Sequence, residues 1–122
     1  MKVLIDTNGL LIPGQFGVDI FAELQRLGYS EFLVPRCVVQ EISGLRLSAR
    51  GKDRKAVNIA LSLLERCKIV EDIPAGSADE TLEKMAVGSG ASVLTNDAQL
   101  KKRLCSKGIS VIYLREKSHL ST

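Results

Sequence analysis

Four acidic residues lie where predicted strands give way to helices, and they could form one chemical site. Asp6 directly follows the apolar run Val3–Ile5, and Asp97 closely follows the fourth apolar run of the chain. Glu41 and Asp79 each lie near the start of a helix that follows a strand. Carboxylates that converge in a cleft raise one another's pKa values and destabilise the fold unless a cation lies among them. Oxygen ligands alone favour a hard divalent cation such as Mg²⁺ or Mn²⁺, which also binds phosphate.

Each of these acids also has a purely structural interpretation. Aspartate is a favoured helix N-cap, so Asp6 and Asp97 could serve only to accept backbone N–H groups. Ser77 and Glu80 fit a capping box, which would account for the acids at that helix start without catalysis. Glu41, taken alone, fits an exposed helix residue. The functional interpretation therefore depends on the whole set of acids.

The elements that must position the acids alternate between strands and helices. Five short apolar or β-branched runs are typical of strands, and apolar residues recur at helical spacing between them. The predicted strands are Val3–Ile5, Phe32–Val34, Lys68–Val70, Ser92–Leu94 and Ser110–Leu114. Helices are predicted up to Gly28, around Val57–Cys67, from about Ser77 to Gly88 and from about Asp97 to Gly108, with Ile73–Ser77 as a loop.

This alternation predicts an α/β/α sandwich, in which helices cover both faces of a parallel sheet. Open sheets of this kind place functional groups beyond the carboxyl ends of the strands, near the point where the strand order reverses. Asp6 and Asp97 both follow strands, so we expect them at that edge of the sheet.

The composition indicates one globular domain over residues 1–122. The chain is 45% hydrophobic and 25% charged, and domains usually have about 100–150 residues. Its apolar runs are shorter than the roughly 20 residues that span a bilayer. Asp6 interrupts the apolar start where a secretory signal would be continuous. We therefore predict a cytoplasmic protein without a membrane segment.

Cysteine and histidine chemistry is not predicted. Cys37, Cys67 and Cys105 are odd in number and far apart, which favours neither a disulfide framework nor a zinc site. We expect them to be buried apolar residues. His119 is the only histidine and lies in a polar C-terminal stretch, so we expect a solvent-exposed tail residue.

Basic residues are concentrated in two places. The net charge of +3 permits a nucleic-acid partner without requiring one. One cluster lies between Gly44 and Lys55 and another at Lys101–Arg103, and both could contact backbone phosphates or could simply be solvated helix faces. The candidate RNA-binding residues are Arg46, Arg50, Lys52, Arg54, Lys55, Lys101 and Lys102.

The acids and their flanking residues resemble the motifs of the PIN-domain nucleases. The resemblance rests on Asp6-Thr7-Asn8 after the first strand, on Val38-Val-Gln-Glu41, on Asp79 at a helix start and on Thr95-Asn96-Asp97. Further segments are similar to an archaeal group related to the PIN nucleases of small-subunit ribosomal RNA processing. They are Gln15–Ile20, Ala78–Glu80 and Asp97–Leu104.

This resemblance implies a five-stranded parallel sheet in the order 3-2-1-4-5. It implies that Asp6, Glu41, Asp79 and Asp97 are catalytic residues that hold one or two Mg²⁺ or Mn²⁺ ions, with Glu80 as an alternative to Asp79. It further implies that Asn8, Thr95 and Asn96 orient the carboxylates or the scissile phosphate.

The function that follows is a metal-dependent endoribonuclease, acting on single-stranded or structured ribosomal RNA, with a homodimer as the family-level expectation. Water would attack the phosphodiester in line and leave a 5′-phosphate and a 3′-hydroxyl. Two alternatives keep the fold: a toxin-type ribonuclease held by an antitoxin, and a catalytically silent RNA-binding scaffold. A receiver-like phosphoacceptor, using Thr95 and Asp72, is a third, although the chain lacks the acidic pair and the lysine that this chemistry needs.

Overall fold

The computed structural model describes residues 1–73 and 76–122, so the middle of the predicted loop Ile73–Ser77 lies outside the described residues. The strands are β1 (Lys2–Ile5), β2 (Glu31–Pro35), β3 (Lys68–Val70), β4 (Ser92–Leu94), β5 (Val111–Arg115) and β6 (His119–Ser121). The helices are α1 (Thr7–Phe16), α2 (Ile20–Arg26), α3 (Arg36–Ser48), α4 (Gly51–Leu63), α5 (Ala78–Ser89) and α6 (Ala98–Ser106), and a 3-10 turn Leu64–Arg66 follows α4.

The described strands form one sheet in the order β3-β2-β1-β4-β5-β6. The first five strands are parallel, and this part of the order is the predicted 3-2-1-4-5. The strand order reverses between β1 and β4, whose carboxyl ends lie side by side because Ile5 pairs with Leu94. The prediction of an α/β/α sandwich is therefore confirmed, with its switch point next to Asp6.

The C-terminal stretch differs from the predicted exposed tail. It forms β6, which pairs antiparallel with β5 through Arg115–His119 and Leu114–Leu120. Leu120 is fully buried, and its apolar side chain anchors a stretch that is otherwise polar. His119 is accordingly half-buried in a strand, and the sheet has a sixth strand that the sequence pattern did not indicate.

Alternate residues of the strands supply the two hydrophobic layers. Val3 and Ile5 face a cluster that includes α1, α2, α3 and α4, whereas Leu4 faces a cluster that includes α5 and α6. This period of two follows from the pleat of a strand, in which successive side chains point to opposite faces. The sheet is thus covered on both sides, as a parallel sheet requires.

Two glycines allow close approaches that bring α1 against its neighbours. A Cβ on Gly9 would lie 2.7 Å from the carbonyl oxygen of Leu94, and one on Gly14 would lie 2.5 Å from the Cα of Ala56 in α4. The first of these contacts sets the start of α1 directly against the end of β4. Gly28, at which a helix is predicted to end, lies two residues after α2 and has a φ of 98°, a conformation that favours glycine.

The cysteines are less buried than expected, since Cys37 and Cys67 are half-buried and Cys105 is exposed. Each lies at the end of a helical segment, where side chains are less enclosed: Cys37 in the first turn of α3, Cys67 directly after the 3-10 turn and Cys105 in the last turn of α6. No helix within residues 1–73 and 76–122 combines the length and the apolar character needed to cross a membrane.

Candidate active site

The four acids predicted from the sequence line one cleft at the carboxyl edge of the sheet. Asp6 follows β1, Asp97 follows β4, Glu41 lies in α3 and Asp79 lies in the first turn of α5. The cleft has a volume of about 180 Å³. Its other lining residues are Thr7, Asn8, Cys37, Val38, Ala78, Leu82 and Leu100. Elements far apart in the chain therefore bring the acids together.

Asp6 is the most buried of these acids, with 4% of its surface exposed. Its Oδ1 accepts a hydrogen bond from the N–H of Gly9 at 2.6 Å, and its Oδ2 accepts one from the hydroxyl of Thr95 at 2.5 Å. Burial raises the pKa of Asp6 to about 6, and the negative charges of Asp97 and Glu41 act in the same direction against the two hydrogen bonds. The cleft thus concentrates negative charge around this carboxyl.

Thr95 joins the two aspartates of the switch point. Its hydroxyl donates to Asp6, and the same oxygen accepts the N–H of Asp97 at 3.1 Å. Asp97 in turn caps α6, because its Oδ1 accepts the N–H groups of Gln99 and Leu100 at 2.9 and 3.2 Å. Thr95 is fully buried, so these bonds are shielded from water. Thr95 therefore links the carboxylate of Asp6 to the backbone of Asp97.

At the start of α5, Asp79 and Glu80 point to different surroundings. Ser77 caps the helix, since its Oγ accepts the N–H of Glu80 at 3.1 Å. The Glu80 carboxylate turns back and accepts the N–H of Gly76 at 3.1 Å, whereas Asp79 lines the cleft. Glu80 therefore belongs to the helix cap, and Asp79 belongs to the cleft.

The start of α3 determines where Glu41 lies. Pro35 is the N-cap of this helix and supplies no side-chain hydrogen bond. Asp72, which follows β3, accepts the N–H of Cys37 through its Oδ1 at 3.1 Å. Next to it, Arg36 and Glu71 form an exposed ion pair at 2.9 Å. The segment after β3 therefore holds the helix that carries Glu41.

The other polar residues of the cleft have distinct positions. Asn8 is exposed and lines the cleft, whereas Asn96 is exposed and does not line it. Thr7 lines the cleft with 7% of its surface exposed, and its buried hydroxyl has no hydrogen-bond partner in the described residues. Burial and a hydrogen bond to Asp72 raise the pKa of Cys37 to about 11, so the thiol stays protonated at neutral pH.

The sequence pattern predicts no role for Thr7 or Cys37 and suggests Asp72 only as a phosphoacceptor residue. The signal for Thr7 was its place between Asp6 and Asn8. Asp72 caps a helix and does not line the cleft. A receiver-like domain would also have the strand order 2-1-3-4-5, which differs from the order found here. The phosphoacceptor alternative is therefore wrong.

The first basic cluster lies at the tip of the hairpin formed by α3 and α4. Its five side chains are exposed, and none forms an ion pair with another described residue: Arg46, Arg50, Lys52, Arg54 and Lys55. In the second cluster, Lys101 lies over the ring of Tyr113 at 3.3 Å from the centroid, and Lys102 is exposed. Lys101 is thus engaged within the fold.

The chemistry of the donor set fits a hard divalent cation. Four carboxylates line the cleft, and their oxygen atoms are the ligands that a hard divalent cation prefers. Within the described part of the chain, no three Asp, Glu, His or Cys side chains already enclose a position for an ion.

The chain is similar to proteins of known family over most of its length. The PIN like domain family matches residues 3–117. Ribonuclease VapC9 of Archaeoglobus fulgidus is 36% identical over 113 residues, which cover 93% of this chain and 82% of that protein. Ribonuclease VapC4 of Methanocaldococcus jannaschii is 30% identical over 123 aligned positions, which cover 97% of this chain and 93% of that protein.

Solved structures show the same likeness. The PIN domain endonuclease Utp24 superposes with a TM-score of 0.76 at 25% identity, and the superposition covers 98% of this chain and 88% of the Utp24 chain. VapBC2 from Rickettsia felis, bound to a DNA fragment from its promoter, superposes with a TM-score of 0.69 at 14% identity. The superposition covers 94% of this chain and 100% of the matched VapBC2 chain, and it shows a likeness of fold. With the sheet order and the cleft acids, these matches establish that the chain belongs to the PIN-domain nuclease family.

Proposed function

We propose that this chain is a divalent-metal-dependent endoribonuclease that acts as one domain over residues 1–122. The observation that carries the proposal is the cleft that Asp6, Glu41, Asp79 and Asp97 line together. A fold without a ligand there would gain nothing from four acids around one cavity, because their mutual repulsion costs stability. The full set of acids also argues against a silent RNA-binding scaffold.

In this proposal, Asp6, Glu41, Asp79 and Asp97 hold Mg²⁺ or Mn²⁺. When bound, the cation supplies neutralising charge and Lewis acidity for phosphodiester hydrolysis. Asp6 is fixed by Gly9 and Thr95, so its carboxylate keeps one orientation during turnover. The more exposed acids, Glu41 and Asp79, orient the attacking water for in-line displacement. Cleavage then leaves a 5′-phosphate and a 3′-hydroxyl.

Asn8 and the exposed basic cluster bind the RNA chain. Asn8 lines the cleft and can donate to a phosphate oxygen there. The hairpin-tip residues Arg46, Arg50, Lys52, Arg54 and Lys55, with Lys102, neutralise phosphates outside the cleft. Lys101 contributes less, because its ammonium already contacts Tyr113. Thr95 positions Asp6 through its hydrogen bond, whereas Asn96 lies exposed before α6, outside the cleft lining.

Two physiological roles remain candidates for this ribonuclease, and the relatives favour the toxin type. Two ribonucleases of the VapC group are 36% and 30% identical over nearly the whole chain, and the VapBC2 likeness suggests a partner protein acting as an antitoxin. The likeness to Utp24 at 25% identity supports ribosomal RNA processing less strongly. A protein encoded by a neighbouring gene that binds this chain and blocks cleavage would favour the first role. A homodimer stays a family-level expectation.

The decisive experiment compares helix-capping aspartates inside and outside the cleft. Asp6, Asp97 and Asp19 cap α1, α6 and α2, and asparagine retains a capping oxygen at each. With Mn²⁺ or Mg²⁺ and single-stranded or structured RNA, Asp6→Asn and Asp97→Asn should lose at least about a hundredfold in kcat/KM, which corresponds to ~2.7 kcal/mol. Asp19→Asn should cleave as the wild type does.

Removal of the metal with EDTA should abolish cleavage, and Mn²⁺ should raise the melting temperature of the wild type more than that of Asp6→Asn. Equal cleavage by all three aspartate variants would refute the assigned site. Binding of RNA without cleavage by the wild type would favour the scaffold alternative.

A further inference from the structure

We propose that Thr7, together with the first N–H groups of α1, forms the subsite that binds a non-bridging oxygen of the scissile phosphate. The inference rests on the proposed ribonuclease function and adds to it the residue that receives the anionic substrate. The observation behind it is that Thr7 lines the cleft while its hydroxyl is buried without a hydrogen-bond partner among the described residues.

An unpaired buried hydroxyl is costly to the folded protein. Leaving such a group without a partner costs about 1–3 kcal/mol, and valine would fill nearly the same volume without that cost. Every other buried polar side chain of the cleft region is engaged, since Asp6 has two hydrogen bonds and Thr95 has two. The Thr7 hydroxyl therefore has a cost in the free protein that a bound ligand can remove.

The surroundings of this hydroxyl select an anion. Thr7 is the first residue of α1, a helix of ten residues. Asp6 accepts the N–H of Gly9, while the N–H groups of Thr7 and Asn8 have no acceptor in the hydrogen bonds of the described residues. Free N–H groups at a helix N-terminus carry partial positive charge and bind phosphate oxygens. The hydroxyl thus stands beside donors that repel cations and attract anions.

The cleft then has one part that binds a cation and another part that binds an anion. The carboxylates of Asp6, Glu41, Asp79 and Asp97 attract the cation, and the donors of Thr7 and Asn8 attract the phosphate. Four carboxylates alone would repel a phosphodiester, so a donor group in the same cleft favours correct placement of the scissile bond. In this proposal the Thr7 hydroxyl binds the phosphate of the substrate and needs no partner within the fold.

This role predicts opposite effects on stability and on activity when the hydroxyl is removed. Thr7→Val should unfold at the same or a higher temperature than the wild type, because it removes an unsatisfied buried group. Its kcat/KM for single-stranded RNA with Mn²⁺ should fall at least about tenfold, since one hydrogen bond to a charged oxygen is worth about that factor. Thr7→Ser retains the hydroxyl and should restore most of the activity.

Thr7→Ala provides a second variant should valine not fit the helix start, and it carries the same prediction for cleavage. A binding measurement makes the result independent of turnover: inorganic phosphate, titrated in the presence of Mn²⁺, should bind Thr7→Val and Thr7→Ala more weakly than wild type and Thr7→Ser. If the wild type fails to cleave RNA, the proposed function is wrong, and the phosphate titration still decides this inference.

Three outcomes would overturn the subsite. Cleavage and phosphate binding by Thr7→Val and Thr7→Ala at wild-type levels would show that the hydroxyl contacts no substrate. A drop in the melting temperature of Thr7→Val and Thr7→Ala but not of Thr7→Ser would show that the hydroxyl has a partner within the fold. A loss of activity that Thr7→Ser fails to restore would show that the γ-methyl, and not the hydroxyl, is what matters.

Discussion

Asp6 and Asp97 each perform two tasks with one carboxylate. Both cap a helix, and both line the cleft with Glu41 and Asp79. The structural and the chemical interpretations of these aspartates are therefore compatible, because a carboxylate has about four lone-pair sites and each of these residues accepts two hydrogen bonds within the fold. A cap also fixes the side-chain rotamer, which is what a metal ligand or a catalytic carboxylate requires.

Thr95 is the residue that makes this arrangement rigid. Thr95→Val should remove the donor to Asp6 and the acceptor for Asp97 while conserving side-chain volume. We expect a loss of about 1–3 kcal/mol in the free energy of unfolding, because two buried groups lose their partner. Cleavage should fall by more than tenfold. Urea unfolding and RNA cleavage, measured on Thr95→Val and on Thr95→Ser, check the prediction.

Thr95→Ser is the matched control, since it keeps the hydroxyl and removes only a methyl group. It should retain most of the activity. A Thr95→Val protein as active as the wild type would contradict the idea that this hydroxyl orients Asp6.

At the level of elements, α3 depends on a cap from outside its own sequence. Pro35 cannot cap it with a side chain, and Asp72 supplies the acceptor to Cys37 from the segment after β3. Two segments that carry cleft residues are thereby joined: α3 with Glu41, and the connection that leads to Asp79. A cap of this kind couples the geometry of one side of the cleft to that of another.

Asp72→Ala should therefore loosen the start of α3. Losing an N-cap acceptor costs about 0.5–2 kcal/mol, and we expect a melting temperature lower by a few degrees with reduced cleavage. Asp72→Asn keeps an acceptor oxygen and should be nearly normal in both measurements. Equal melting temperatures for Asp72→Ala and the wild type would show that the hydrogen bond to Cys37 carries no stability.

The crossing of α1 and α4 gives a second prediction for elements. Gly14→Ala should destabilise the protein by about 1–3 kcal/mol, because the new methyl group would meet the backbone of Ala56 and force the helices apart. Gly44→Ala is the control: it lies inside α3, and a Cβ there meets nothing within 4 Å. That substitution should instead stabilise by up to about 1 kcal/mol.

Chemical denaturation of the two glycine variants tests this directly. Similar unfolding free energies for Gly14→Ala and Gly44→Ala would mean that α1 and α4 tolerate a wider separation than the structure indicates.

At the level of the whole molecule, charge is separated into an acidic cleft and a basic hairpin tip. RNA affinity measured without cleavage, with Ca²⁺ in place of Mn²⁺, should fall with salt in proportion to the phosphates that the tip neutralises. The double variant Arg50→Gln with Arg54→Gln should reduce the slope of log K against log salt by about 1.4, since each contact to a single strand contributes about 0.7.

The control for this prediction removes two charges from the opposite edge of the sheet. Lys2 and Lys68 begin β1 and β3, so they lie at the amino ends of strands whose carboxyl ends face the cleft. Lys2→Gln with Lys68→Gln should leave the slope almost unchanged. Equal slopes for both double variants would show that the hairpin tip makes no more phosphate contacts than the opposite edge of the sheet.

Local patterns in the sequence were sufficient for the strands, for most helices and for the positions of the acids. The apolar runs that predicted β1 to β5 match the observed strands to within two residues. The reason is that the period of two along a strand and the acid after its last residue are local features. For β6 the pattern was too short and too polar, and pairing with β5 together with burial of Leu120 determines it.

The sequence by itself therefore determined a PIN-like α/β fold with acids at one edge of its sheet, because strand ends and helix starts are set by neighbouring residues. Only the tertiary structure decided which groups those acids contact. Thr95 reaches Asp6 across 89 residues and Asp72 reaches Cys37 across 35, and Glu80 turns to Gly76 while Asp79 lines the cleft. Such contacts depend on how elements pack, and packing is not encoded in any single local pattern.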